Sequence, residues 1–433
     1  MHPDQRLTEA LRRAGDRPIV LSGTRKHTSA TILARFEQIA QALNDRSTSC
    51  VLCVSDEPED ILACLCLPSE RVASVLFVPD YLRQEIPAFV EVVGARAIVL
   101  PGGLVNSTNH SGVTRDPGDE VLLVTSGTTG KPKVVRHKLR SLFARIRIGT
   151  PDQRVWLLTY LPSSFAGIQV LLTAALAGEL AVQAPRGYPE TLALSAEQRV
   201  THLSCTPTFL RALIAAGARD SMMPCIRQIT LGGEIADQRT LTTARELFPR
   251  TRISHIYAAT ETGALFSVSD GREGFPKSWL QQGMEGVRFK VLDETLHVQS
   301  SRAMVGYAGC ERVTDWIDTG DLVRVEGDRV LFVGRRDRRI NVGGTKILPE
   351  DVERAIMEVP GVVDAVVTGV PSPLSGEAVL AEVVPANGMD AEELRQRIFA
   401  HIRSRLANHQ VPRILRFAPG VTLSPAGKKA ASI

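Results

Sequence analysis

Apolar residues recur along this chain in short blocks, separated by longer stretches where they return every three or four positions. The blocks SCVLCVS, ASVLFV, ARAIVL, EVLLVT, RVWLLTY, THLSC, IRQITLG and RISHIYA predict β-strands from about residue 48 onward. Between them, PTFLRALIAAGA and ADQRTLTTARELF carry the helical period. Strand and helix in alternation predict parallel sheets covered by helices. From Val287 to Val333 the pattern changes to short strands split by turns (VRFKVLD, TLHVQ, DRVLFVG), a small β-rich unit. From Asp337 onward come a strand pair, a helix (LPEDVERAIMEV), two strands (VVDAVVTGV, AVLAEVVP), a second helix (AEELRQRIFAHIRSRL) and a tail. That is a compact α+β domain of about a hundred residues, large enough to fold alone. The predicted fold class is α/β, with a large N-terminal region at residues 1–336 and an α+β C-terminal domain at residues 337–433.

The length of 433 residues admits two or three structural units, and 44% hydrophobic with 23% charged residues sets aside disordered and fibrous classes. A net charge of +4 is too small to imply a nucleic-acid binder. Its distribution is uneven: Arg395, Arg397, Arg403, Arg405, Arg413, Arg416, Lys428 and Lys429 follow Glu393 with no acid among them. This basic stretch suits a polyanionic ligand or an acidic partner. The N-terminus lacks the apolar core of a secretory signal and no run of about 18 apolar residues occurs, so a cytoplasmic protein without a membrane span is expected. Cys50, Cys53, Cys64 and Cys66 stand among Val, Leu, Ile and Ala with no His nearby, and read as reduced core cysteines rather than a zinc site.

The densest candidate chemistry is TSGTTGKPK, Thr125 to Lys133, after a predicted strand and before a helix expected to begin near Lys138. Glycines let backbone N–H groups turn toward a ligand, while hydroxyls and lysines add donors and charge; this suits a polyphosphate. It is not a Walker A loop, because Gly127 and Gly130 are too close together and Pro132 follows Lys131. Further along, DTG at Asp318 to Gly320 has the form of an aspartic-protease loop, but that chemistry needs a second such loop.

TSGTTGKPK resembles the phosphate loop of the adenylate-forming superfamily of acyl-CoA and aryl-CoA synthetases, adenylation domains and luciferases. Four further stretches resemble that superfamily's motifs in the same order: GGE at Gly232 to Glu234 with YAATETG at Tyr257 to Gly263, WIDTGDLV at Trp316 to Val323, GRRDRRINVGGTKILPEDVE at Gly334 to Glu353, and PAGKK at Pro425 to Lys429. The resemblance implies ATP and Mg²⁺, with Thr125, Ser126, Gly127, Thr128, Thr129, Gly130 and Lys133 on the phosphates. It implies Gly233, Glu234 and Tyr257 at the adenine, with Ala258 where relatives carry glycine, and Asp321 and Arg335 at the ribose. Thr260 and Glu261 take catalytic places, Glu261 as the Mg²⁺ ligand, and Lys428 is the catalytic lysine of the first half-reaction. Asp337 matches the hinge about which a mobile C-terminal domain swings. Gly343 and Gly344 match the thin-walled loop beside the thiol tunnel; by residue type alone they are a hairpin turn.

By the same resemblance Phe165, Ala166, Gly167, Gly232, Ile256, Ala264 and Leu265 line the acyl pocket. No aspartate stands near Phe165 to pair with a substrate amine, so a plain carboxylic acid is expected, and small apolar walls favour a flat ring such as benzoate or hydroxybenzoate. The implied activity is formation of an acyl-adenylate, followed by transfer to the phosphopantetheine thiol of coenzyme A or of an acyl carrier protein supplied in trans. Two other readings stand beside it: an adenylate-dependent amide synthetase, and a non-catalytic nucleotide-binding scaffold.

Overall fold

The computed structural model describes residues 3–43, 50–67, 72–108, 119–125, 132–146, 153–310, 315–423 and 429. Four sheets carry the fold. In the first, Ser74–Val78, Cys50–Val54 and Ala95–Leu100 lie parallel beside Glu120–Thr125. Every residue of Cys50–Val54 and Ser74–Val78 is buried, as expected for strands covered on both faces. The cysteines at 50, 53, 64 and 66 are buried and form no disulfide. Among the described residues no group of three His, Cys, Asp or Glu could hold a metal ion, and no helix is long and apolar enough to cross a membrane.

The expected helix after the phosphate loop is preceded by a strand. Lys133–Lys138 pairs antiparallel with Glu120–Thr125, bringing Lys133 opposite Thr125, and the helix starts at Leu139. The reason lies in the alternation that follows the loop: Val134, Val135 and His137 are buried, so the segment completes the sheet before it turns.

The second sheet has eight strands. His202–Cys205, Gln228–Leu231 and Arg252–Ala259 run parallel in level register, with Cys205 opposite Leu231 and Leu231 opposite His255. Gly263–Val268 closes one edge, and the hairpin Pro18–Ser22/Arg25–Thr28 closes the other. The helices Pro3–Ala14 and Ser29–Leu43 flank that hairpin, the first burying Leu7, Ala10, Leu11 and Ala14 along one face. The helix Phe165–Ala177 lies within the core shared by the two sheets and is buried along most of its length, so it lacks a polar face. Ser164 caps it by accepting from the Gly167 N–H at 3.1 Å.

Antiparallel strands Phe275–Pro276, Arg329–Arg335, Ile317–Glu326, Thr295–Ser300 and Val287–Leu292 form the third sheet, around Phe266, Phe275 and Phe289. The fourth sheet begins at Ile340, where Ile340–Val342, Thr345–Ile347, Val362–Ser372, Gly376–Pro385 and Ile414–Phe417 carry the helices Pro349–Met357 and Ala391–Arg405. Its core is drawn from this segment alone, with Leu394, Ile398 and Ile402 in one buried cluster with Ala365, Val367 and Ala381. Ile398→Ala should cost about 2–5 kcal/mol of stability through lost burial and the cavity left behind. Urea denaturation checks this, and an unchanged midpoint would show that the helix does not supply the core.

Candidate active site

The carboxyl ends of the parallel strands, the third sheet and the first helix of the C-terminal segment enclose a cavity of about 720 Å³. Thr125, Lys133, Gly233, Glu234, Ile256, Tyr257, Thr260, Glu261, Asp321, Arg335 and Asp337 all line it. Residues distant in the chain therefore meet on one wall, as open parallel sheets favour beyond their strand ends. Ser126, Gly127, Thr128, Thr129, Gly130 and Lys428 lie outside the described residues.

Asp321 and Arg335 face each other across an antiparallel ladder. The Arg335 guanidinium donates to Asp321 Oδ1 at 3.1 Å and to Asp337 Oδ1 at 3.1 Å. Burial opposes the Arg335 charge, but the bond to Asp337 and the Asp321 carboxylate raise its pKa further above the ordinary arginine value. The other oxygen of Asp321 accepts from the Tyr257 hydroxyl. Burial, with the Asp321 charge, pushes the Tyr257 phenol well up, and its ring lies 4.8 Å from Phe332 and 5.3 Å from Phe266. The loop before Asp321 is set by its own side chains: Asp318 accepts from Gly320 N–H at 2.9 Å, and Thr319 Oγ1 accepts from Asp321 N–H at 3.1 Å.

Glu261 sits past the end of Arg252–Ala259, where the backbone is pinned on both sides. Buried His137 bonds the Thr260 carbonyl through Nε2, and Met304 N–H donates to the Glu261 carbonyl at 2.9 Å. The Tyr307 hydroxyl faces the Glu261 carboxylate; burial and that carboxylate push the phenol up to about 12. Lys133 Nζ stands 5.3 Å from the centre of the Tyr307 ring. Tyr307 was not legible in the sequence, where a lone Gly-Tyr pair carries no spacing that points to a site.

Other expected residues are placed differently. Gly232 lies beside Ile256, where an added Cβ would stand 2.7 Å from the Ile256 methyl, so only glycine lets the two strands' ends approach. Glu234, expected at the adenine, gives one oxygen to the Thr208 N–H at 3.1 Å and the other to the Lys429 N–H at 3.0 Å. Phe165 is buried, 5.8 Å from the His137 ring, and with Ala166 and Gly167 belongs to the start of the buried helix rather than to the wall of this cavity. Ala264 packs against that same core. Leu265, expected in the acyl pocket, is fully enclosed in the cluster of Phe266 and Phe275 and does not reach the cavity. Gly343 and Gly344 form an exposed two-residue turn with positive φ and lie outside the cavity wall.

Residues 109–306 match the family described as AMP-binding enzyme, and residues 351–428 match the AMP-binding enzyme C-terminal domain. The chain belongs to the AMP-binding enzymes. Among similar proteins, a fatty acid–[acyl-carrier-protein] ligase, MmaC of Mycobacterium marinum, is 24% identical over 94% of this chain and 91% of its own. A feruloyl-CoA synthase of an Amycolatopsis species is 27% identical over 79% of this chain and 76% of its own. A solved structure of the anthranilate CoA ligase AuaEII with anthranoyl-AMP shares the fold, with a TM-score of 0.77 and 18% identity over 98% of this chain and 95% of that one.

In this AMP-binding enzyme, Tyr257→Phe should remove a hydrogen bond to a carboxylate and cost about 1.5–3 kcal/mol of stability. Denaturant titration is the check; a loss near zero would mean that Asp321 does not depend on that hydroxyl.

Proposed function

We propose that this AMP-binding enzyme activates a carboxylic acid with ATP and passes the acyl group to a phosphopantetheine thiol. The observation that carries this reading is the meeting of Thr125, Lys133, Glu261, Asp321 and Arg335 on one cavity. Asp321 can accept from two vicinal ribose hydroxyls, while Arg335, opposite it in the ladder, holds the carboxylate and adds positive charge. In the reaction a carboxylate oxygen of the acid bonds the α-phosphorus, and the bond from that phosphorus to the α–β bridging oxygen breaks. The products are a mixed anhydride and pyrophosphate. Two anions meet in that step, so cations placed between them lower the barrier; Lys133 and Lys428 are assigned that role.

A Mg²⁺ ion fits Glu261. Its carboxylate lines the cavity beside the Tyr307 hydroxyl and is an oxygen donor of the kind that would hold this ion. Bound there, the ion would neutralise phosphate charge. The segment 337–433 is read as the moving unit, turning about Asp337 so that Lys428 serves adenylation and withdraws before thiol attack. Anchoring of Lys429 at the cavity edge supports the adenylation arrangement.

For the acid, an aromatic carboxylate is the reading, supported by the small and apolar Ile256, Ala258 and Ala259 on the wall and by the likeness to a feruloyl-CoA synthase. For the acceptor, coenzyme A and a carrier protein both fit, the second supported by the likeness to MmaC.

Pyrophosphate release with ATP and Mg²⁺ should depend on one class of benzoate, hydroxybenzoate or cinnamate, and should rise with coenzyme A or an acylable carrier. Absence of acid-dependent release across aromatic, fatty and amino acids, from protein that binds ATP, would overturn the reading. Asp321→Ala should weaken ATP binding about tenfold or more by calorimetry; unchanged affinity removes Asp321 from the ribose. Lys428→Ala should abolish adenylate formation while leaving thioester formation from supplied acyl-adenylate intact, and equal loss of both would remove the swing.

A further inference from the structure

In the wall of the cavity, where Arg211, Glu353 and Lys429 line it, lies an ionic cluster that the reaction as described does not use. Asp364, on Val362–Ser372, is almost completely buried and divides its two oxygens. Oδ2 accepts from Arg211 of the helix Pro207–Ala215, at 2.7 and 2.9 Å. Oδ1 faces Lys429 Nζ at 3.0 Å. Lys429 Nζ also meets Glu353 at 3.1 Å, and Glu353 is itself buried on Pro349–Met357.

The cluster has two halves with different allegiances. Arg211 is tied to the large region by Thr208 Oγ1 at 2.9 Å, Thr240 Oγ1 at 3.2 Å and Asp237 at 3.6 Å. Lys429, Glu353 and Asp364 belong to the C-terminal segment and satisfy one another within it. Burial opposes the Lys429 charge, but Glu353 and Asp364 raise its pKa above the ordinary lysine value. Among the described residues, the Arg211–Asp364 pair and the bond from Lys429 N–H to Glu234 cross between the halves. If the C-terminal segment turns away, each half keeps charged partners of its own. Separation therefore leaves no isolated buried charge, which is what a reversible contact requires.

Chain connectivity gives the cluster its consequence. Lys429 is held by its side chain to two buried acids, by its backbone to Glu234, and by a β-bridge to Leu423. Residue 428 is its immediate neighbour. A lysine that must reach the α-phosphate gains aim if the residue beside it is fixed.

We propose that Arg211 and Asp364 form a latch that holds the C-terminal segment in the adenylating arrangement, and that Lys429 is the positioning residue that aims Lys428. This rests on the assignment of Lys428 under the proposed function. The test uses the full-length protein and two variants, Arg211→Met and Lys429→Met, each with its conservative partner, Arg211→Lys and Lys429→Arg. Acid-dependent exchange between ATP and pyrophosphate should fall at least about tenfold in both Met variants, while thioester formation from supplied acyl-adenylate stays within about twofold. Lys429→Arg should recover most of the exchange. Trypsin cleavage around Arg336 and Arg338 should speed up in Arg211→Met, because the segment leaves its docked position more often.

Equal loss in both half-reactions, or exchange unaffected by Arg211→Met, overturns the latch. If Lys429→Met does not fold, Arg211→Met still decides the latch and Lys429→Arg the aiming: exchange unaltered in Arg211→Met, or lost in a folded Lys429→Arg, overturns the corresponding claim. Should the unaltered protein show no exchange with any acid, the assignment of Lys428 fails by itself. The trypsin rate then remains as the readout of the latch, and an unchanged rate overturns it.

Discussion

The level register of three parallel strands is the constraint on which the cavity depends. His202, Gln228 and Arg252 start level and Cys205, Leu231 and His255 lie side by side, so the first two strands end at one height while the third runs on past them to Ala259. Thr206, Gly232 with Glu234, and Tyr257 to Glu261 then line one edge. Hydrogen bonds of a parallel ladder are evenly spaced and fix that register, and a slip by one residue would turn Ile256 and Tyr257 to the opposite faces. Glycine at 232 is part of the same constraint, since any side chain there would push against Ile256 and part the strand ends.

Upon that edge the protein concentrates charge without leaving it alone. Asp321 is held between Tyr257 and Arg335, Glu261 by Tyr307, and Asp364 between Arg211 and Lys429. Each of these three acids keeps a donor group beside it, so none of the three is buried unpaired. A ligand that binds there exchanges partners with these groups rather than creating charge in an apolar wall. Such preorganised groups contribute more in a recessed site than they would in water. The same economy applies between the two regions of the chain, where each half of the ionic cluster is satisfied in its own right.

How far the sequence could be read differs from place to place. Apolar blocks such as CVLCV and SVLFV announced strands covered on both faces, because continuous burial leaves continuous hydrophobicity. The strand Lys133–Lys138 was missed for the opposite reason. Its lysines and arginine lie at partly exposed positions and mask the alternation of Val135 and His137, so the segment reads as the approach to a helix. Leu265 shows the limit at a single residue: Ala264 packs against one core, and the next residue along the strand is wholly enclosed in a different one. Two acids did leave a trace. Glu353 stands beside Val352 on the buried side of its helix, and Asp364 interrupts the apolar VVDAVV block; an acid in an inward position needs a partner. The pattern could not say that the partners would be Arg211 and Lys429.

By itself the sequence determined the local matters: strand and helix periods, the glycine-rich stretch between Thr125 and Lys133, the order of the motifs, and hence the family. These follow from residues near one another in the chain, where spacing is geometry. Only the tertiary structure decided that Tyr307 meets Glu261, that Glu234 serves as a backbone anchor, and that Lys429 lies buried between two acids. Those contacts join residues far apart in sequence, and whether a charged side chain is solvated or buried depends on the other surface packed against it, which no local pattern encodes.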